Sequence, residues 1–215
     1  MPRWVHFRKS GLSVEDAALE ATRFVVIDTE LTSLHRRTNR LLSVGAIGMI
    51  GSKILLGEQF YRVANPGVFV PGEGVVIHKL RPEDVERGHD LTSTLTELRS
   101  FIGNAVLVGH FARIERDVLQ KEFEACGLSF ANQIICTARV QHWIVKAQPF
   151  KEDQFRELEA ADLESLARAY ELEFHEAHHA LDDAFVTARL WQKQMHVLSE
   201  LGVKTLRKLL RVARV

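Results

Sequence analysis

The sequence predicts an α/β domain built on a mixed β-sheet. Near the start, three runs rich in Val, Ile and Leu follow one another, and Gly51-Ser52 joins the last two with a tight-turn signal, the pattern of an antiparallel meander. Further on, short apolar runs alternate with segments of helical periodicity, the pattern of parallel strands with helical connections. The chain has 215 residues, 46% hydrophobic and 26% charged, which suits one globular domain with a sizeable core. It carries no internal repeat and no low-complexity tract.

Residues 1–22 read as a polar N-terminal extension, with a short amphipathic helix from Val14 to Thr22 that Ser13 caps. The first strand, Phe24-Val25-Val26-Ile27, runs straight into Asp28-Thr29-Glu30. Side chains two apart on a strand share a face, so Asp28 and Glu30 point the same way at the end of a core strand. Two carboxylates held together repel, and a hard divalent cation resolves that conflict. A strand end with two solvated acids is the alternative, and this stretch alone leaves both open. Leu41 to Ile50 and Lys53 to Val63 complete the meander.

Residues 64–90 read as loop, punctuated by Pro66, Gly67, Pro71, Gly72, Gly74 and Pro82. Leu91 to Ile102 is a helix stopped by Gly103-Asn104, and Ala105 to His110 is a short buried strand. A helix from Ala112 to Cys126 closes at Gly127, and Gln133 to Thr137 is another short strand. The rest is mostly helical: Asp162 to Glu171 behind a good cap, then a long helix from about His179 to Glu200, broken by Gly202. Residues 201–215 form a basic amphipathic helix whose leucines pack on the domain, the alternative being a partner or nucleic-acid contact. The main domain spans residues 23–200.

The net charge is zero, so there is no broad electrostatic case for nucleic-acid binding, although an enzyme that grips only a few nucleotides is compatible with it. Cys126 and Cys136 lack metal-type spacing and read as free, mostly buried thiols in a reducing compartment. No apolar run approaches a membrane span and the N-terminus has no apolar signal core, so a cytoplasmic location without membrane contact is expected.

Two further clusters carry chemistry. On the helix after His110-Phe111-Ala112, the apolar residues Phe111, Ile114, Val118, Leu119, Phe123 and Cys126 cover about half the circumference at roughly 100° per residue. Glu115 falls near the centre of that arc and Asp117 on the opposite face, so Glu115 is the candidate functional acid. Glu122 shares the same face, and a helix N-terminal acid favoured by the dipole remains the alternative for Glu115. The densest polar cluster is His175-Glu176-Ala177-His178-His179-Ala180-Leu181-Asp182-Asp183-Ala184. Adjacent His178 and His179 do not suit one zinc ion, a polar helix start is the plain reading, and periodicity does not separate Asp182 from Asp183.

Taken together, Asp28-Thr29-Glu30, His110-Phe111-Ala112-Arg113-Ile114-Glu115 and His178-His179-Ala180-Leu181-Asp182-Asp183-Ala184 resemble the three motifs of the DEDDh exonuclease family. That group includes the epsilon proofreading chain of bacterial DNA polymerase III. Val76-Ile77-His78 followed by Pro82-Glu83-Asp84-Val85 resembles the stretch between the first two motifs, and the similarity covers about residues 23–195. The resemblance implies a ribonuclease H-like fold. It implies that Asp28, Glu30, Glu115 and Asp183 hold two divalent cations, Mg²⁺ or Mn²⁺, and that His178 is the general base. Asp182 is then a bystander, and Leu31, Thr32, His110 and Phe111 would meet the substrate. The implied activity is 3′–5′ hydrolysis of single-stranded DNA ends to nucleoside 5′-monophosphates, in proofreading or repair, with a DNA polymerase as partner. An exoribonuclease acting on RNA 3′ ends is the alternative within the class, and a binding module with a degraded site the alternative outside it. Departures from the motifs are Glu115 for the usual Asp, Phe111 for the usual Asn, and Leu31 and Ser33 after the first motif.

Overall fold

The computed structural model describes residues 16–33, 35–68, 79–148, 161–174 and 178–215. Strands β1 (Arg23–Leu31), β2 (Leu41–Ile50) and β3 (Lys53–Asn65) form the expected meander. Helices α1 (Pro82–Glu86) and α2 (Leu91–Ile102) flank the two-residue strand β4 (His89–Asp90). Strand β5 (Val106–Gly109) leads into α3 (Arg113–Ala125), and β6 (Ile134–Cys136) into α4 (Thr137–Ala147). Helices α5 (Leu163–Ala169), α6 (Ala180–Glu200) and α7 (Leu206–Ala213) follow.

The sheet has the order β4-β3-β2-β1-β5-β6. β1–β2 and β2–β3 pair antiparallel, whereas β1–β5 and β5–β6 pair parallel, which is the predicted mixed sheet. Helices cover both faces. Val25 and Ile27 of β1 pack with Leu95, Leu98, Leu119 and Phe123 of α2 and α3. Phe24 and Val26 pack with Val140, Trp191 and Met195 of α4 and α6, and the Phe24 and Trp191 rings meet edge-on with centroids 5.4 Å apart. Strand alternation therefore places Asp28 and Glu30 on the face that carries α6. Both acids lie within β1 rather than beyond its end, with Asp28 opposite Gly45 and Glu30 opposite Ser43, and the register shifts between Glu30 and Leu31.

Two elements fall in the segment read as loop. Helix α1 starts on Pro82, whose fixed φ suits the first helical position, and the Asp84 carboxylate accepts from the Arg81 N–H at 3.0 Å. Strand β4 exists through its parallel pairing to the tail of β3. A five-residue helix and a two-residue strand are too short to generate a periodic signal. Before β1, the described residues form a short 3₁₀ turn, Leu19–Ala21, whereas Ser13 and Val14 lie outside the described residues, as do Val76, Ile77 and His78. Helix α7 buries Leu206, Leu209 and Ala213 in the core cluster that holds α4 and α6, and leaves Lys208 and Arg211 exposed. Among the described residues, no helix is long and apolar enough to cross a membrane.

One glycine sets the distance between sheet and site helix. A Cβ on Gly45 would stand 2.3 Å from the Ala180 carbonyl carbon and oxygen and from the Leu181 nitrogen. The start of α6 thus lies directly on β2, beside Asp28. Gly45→Ala must push α6 off the sheet, and overpacking of about 2 kcal/mol should lower the Tm by roughly 4–8 °C. Gly57, whose Cβ would meet nothing within 4 Å, is the matched control. Thermal unfolding of Gly45→Ala and Gly57→Ala should show the loss in the first alone.

Candidate active site

Strand β1 presents Asp28 and Glu30, the start of α3 presents Glu115, and the start of α6 presents Asp183. All four line one cavity of about 500 Å³, together with His178, Leu31, Thr32, His110 and Phe111. Every candidate residue read from the sequence is therefore in one place. Glu30, Glu115 and Asp183 are buried, and ligand atoms of Glu30, His178 and Asp183 lie within 4.8 Å of one another.

The start of α6 is built around Asp183. Its Oδ2 accepts from the His178 N–H at 2.8 Å, and its own N–H donates to the His179 carbonyl at 3.0 Å. His178 adopts φ 73°, a left-handed conformation that costs a non-glycine residue energy, and its side chain is exposed to the cavity. The turn separates the adjacent histidines. His179 points away, its ring 4.6 Å from Tyr61 and its Nδ1 3.3 Å from the exposed Asp182 carboxylate. Periodicity did not separate Asp182 from Asp183; Asp183 is buried and lines the cavity, whereas Asp182 is exposed.

Helix α3 resolves the second choice. Glu115 is 5% exposed, whereas Asp117 sits outside the cavity among Arg36 (2.8 Å), Arg116 (2.9 Å) and Arg113 (3.9 Å). Glu122, on the Glu115 face, is buried and paired to Arg40, whose Nε is 2.8 Å away. The apolar arc needs correction at its start. Phe111 is 42% exposed and Ile114 39%, and both line the cavity rather than the core. Phe111 precedes the helix with φ 52°, so helical periodicity does not reach it.

Neighbouring contacts hold the walls. His110 Nδ1 lies 2.9 Å from the Thr137 hydroxyl, and Gln194 Nε2 donates to the Thr137 carbonyl at 3.0 Å, tying β5 to α4 and α6. Burial pushes the His110 imidazole down to about 4, which leaves it neutral near pH 7. The Thr32 hydroxyl accepts from the Arg40 N–H at 2.9 Å, and the Thr32 N–H donates to the Arg40 carbonyl at 3.0 Å, closing the loop after β1. Asp162, Leu163, Glu164 and Phe174 also line the cavity, and no sequence signal singled them out for it.

The electrostatics suit a cation. Burial, then the neighbouring Glu115, Asp183 and Glu30, push the Asp28 carboxyl well above its usual range. Burial, then Asp183 and Glu115, raise Glu30 to about 8, and burial raises Glu115 to about 7. Asp183 rises too, mainly through burial. Glu115 Oε2 and Asp183 Oδ1 are buried with no hydrogen-bond partner among the described residues, and no Lys or Arg is among the described residues lining the cavity. An oxygen-rich, uncompensated donor set of this kind fits a hard divalent cation.

Comparison with known proteins finds exonuclease relatives. The family model for exonucleases of the RNase T type matches residues 25–191. The DNA polymerase III epsilon subunit of Aquifex aeolicus is 26% identical over 199 residues, covering 90% of this chain and 89% of the subunit. The PolC-type DNA polymerase III of Caldanaerobacter subterraneus subsp. tengcongensis is 24% identical over 190 residues, and the match spans 13% of that polymerase. Among solved structures, the E. coli exonuclease I complex with single-stranded DNA, in a zinc-bound form, superposes with a TM-score of 0.72 at 18% identity, covering 84% of this chain and 42% of the other. Cell-death related nuclease 4 superposes with a TM-score of 0.67 at 14% identity, covering 86% and 67%. Both share the fold.

The raised carboxylates give stability a definite pH dependence. Between the unfolded value of 4.5 and the folded values of about 7 and 8, the folded chain keeps protons on Glu115 and Glu30 that the unfolded chain has released. Stability of the metal-free protein is therefore greatest on the acid side of this window and falls as pH rises through it. In chelator, the Tm should drop from about pH 5 to about pH 8. Mg²⁺ or Mn²⁺ should raise it, and by more at the higher pH, because the cation binds the ionised form. Glu30→Gln should flatten both trends in differential scanning fluorimetry.

Proposed function

The chain belongs to the RNase T-type exonuclease family, and from that membership we propose that it is a metal-dependent 3′–5′ exonuclease acting on the 3′ ends of single-stranded DNA. Its products would be nucleoside 5′-monophosphates. The observation that carries the proposal is the convergence of Glu30, Asp183 and His178 within 4.8 Å, with Asp28 and Glu115 lining the same cavity. An acidic cavity of this charge repels a phosphodiester unless cations occupy it.

Asp28, Glu30, Glu115 and Asp183 would hold those cations. Bound there, two divalent ions supply positive charge that offsets the charge building on the phosphoryl oxygens and lower the pKa of the attacking water. His178 takes the proton from that water. Its side chain is exposed at the cavity wall, so it can pass the proton on to solvent. Asp183 fixes the backbone that carries His178, through the 2.8 Å bond to its N–H. Glu115 stands where the family motif has Asp, and its longer side chain is accommodated with its carboxyl buried in the site. Leu31, Thr32, His110 and Phe111 form the wall for the terminal nucleotide, and the exposed Phe111 ring, 4.5 Å from that of His110, offers a base a stacking face. Because this chain spans 89% of the Aquifex aeolicus epsilon subunit, we assign it a DNA polymerase as partner and a role in proofreading or repair.

The test is to incubate 5′-labelled single-stranded DNA and RNA with the protein and Mg²⁺ or Mn²⁺. Stepwise 3′ shortening of DNA is expected. No shortening of either strand under either metal sinks the proposal, and shortening of RNA alone reassigns the substrate. Glu115→Ala should cut turnover by at least about 100-fold, as for loss of a metal ligand, whereas Asp117→Ala should keep most of it. The reverse would place the functional acid on the other face of α3.

A further inference from the structure

A cluster of arginines stands next in sequence to residues that line the cavity. The loop after β1 and the start of α3 are joined through Asp117. That single carboxylate meets Arg36 at 2.8 Å, Arg116 at 2.9 Å and Arg113 at 3.9 Å. The Arg36 and Arg113 side chains are 65% and 69% exposed, and Arg37, next in the chain, is exposed as well. One carboxylate cannot neutralise this group, so the cluster keeps a surplus of positive charge.

The cluster adjoins the cavity. Arg113 lies between Phe111 and Ile114, and Arg36 lies three residues beyond Ser33, all three of which line the cavity. Phe111 and Ile114 are among the large apolar side chains left exposed. Guanidinium groups beside an exposed aromatic ring are the combination that grips a single strand, charge for the phosphates and a ring for the bases. Asp162 and Glu164 also line the cavity, and Arg168 pairs with Glu164.

We propose that Arg36, Arg37 and Arg113 form a ledge that binds the phosphates of the single strand next to the terminal nucleotides. The ledge deepens the exonuclease reading and rests on it for the identity of the strand. The Asp117 carboxylate lies among these arginines and partly offsets their charge. The ends of the loop that carries Arg36 are anchored by the Thr32–Arg40 hydrogen bonds, one of them to the Thr32 hydroxyl, and by the Arg40–Glu122 pair.

The test compares three proteins with the wild type: Arg36→Gln/Arg37→Gln/Arg113→Gln, a charge-matched control on α7, Lys208→Gln/Arg211→Gln/Arg214→Gln, and Asp117→Asn. Fluorescence anisotropy with a 5′-labelled oligothymidylate of about twelve residues, in Ca²⁺, measures binding without relying on turnover. The ledge variant should bind at least about tenfold more weakly, and its salt dependence should flatten by about 2 in log–log slope, the value for three lost phosphate contacts. The α7 control should bind as the wild type does, and Asp117→Asn should bind more tightly, an opposite sign that damage to the fold would not produce. An unchanged Kd and salt slope in the ledge variant overturns the ledge, as does weaker binding of the α7 control alone. Shortening of the same oligonucleotide in Mg²⁺ or Mn²⁺ is scored separately, so a protein that binds through the ledge without cutting refutes the exonuclease reading and leaves the ledge standing.

Discussion

The site is governed by one constraint: four carboxylates share a cavity with no Lys or Arg among the described lining residues. Each is costly to ionise there, because burial removes water and the neighbouring acids repel, as the upward shifts of Asp28, Glu30, Glu115 and Asp183 express. A fold that held these groups loosely would let them separate. Here they are carried by a central strand and by the first turns of two helices packed on opposite faces of the sheet. Rigid elements hold repelling groups at close range, and a cation entering the cavity would relieve that repulsion.

The rest of the structure reads as support for that arrangement. Alternation along β1 puts Phe24 and Val26 beneath α6, and the same alternation carries Asp28 and Glu30 toward Asp183. Gly45 lets α6 touch β2 where a side chain would hold it away. The Asp183 carboxylate has two tasks, because one oxygen fixes the His178 backbone and the other is left in the site without a hydrogen-bond partner among the described residues. The left-handed turns at Phe111 and His178 lie at the two helix starts that deliver the site, where backbone strain is held in place by packing.

Much of this was legible in the chain. The meander, α2, α3 and α6 announced themselves by periodicity, because each is long enough to bury a face. Asp28 and Glu30 were legible from strand parity, Glu115 from its angular place on α3, and Asp183 from its motif. What stayed hidden depends on partners remote in sequence. Arg40 and Glu122 are 82 residues apart, and neither signals the other. Gly45 looks like any strand glycine until α6 lies on it. Phe111 looked like the first residue of an apolar helical face, yet its positive φ turns it out to the cavity wall before the helix begins.

A net charge of zero argues against broad binding of nucleic acid, and it holds only for the sum. Asp28, Glu30, Glu115 and Asp183 are gathered inside the cavity, where cations would offset them, while Arg36, Arg37 and Arg113 are exposed to water. A strand approaching from solvent would, on the proposed reading, meet the arginines first. Such screened, exposed charges act over about a Debye length, roughly 8 Å at physiological salt, which is enough to orient a flexible strand and too short to draw one from bulk. On the proposed reading, a local cluster beside a loaded cation site would do what a uniformly basic surface does, and would confine the attraction to the strand end that the cavity can hold.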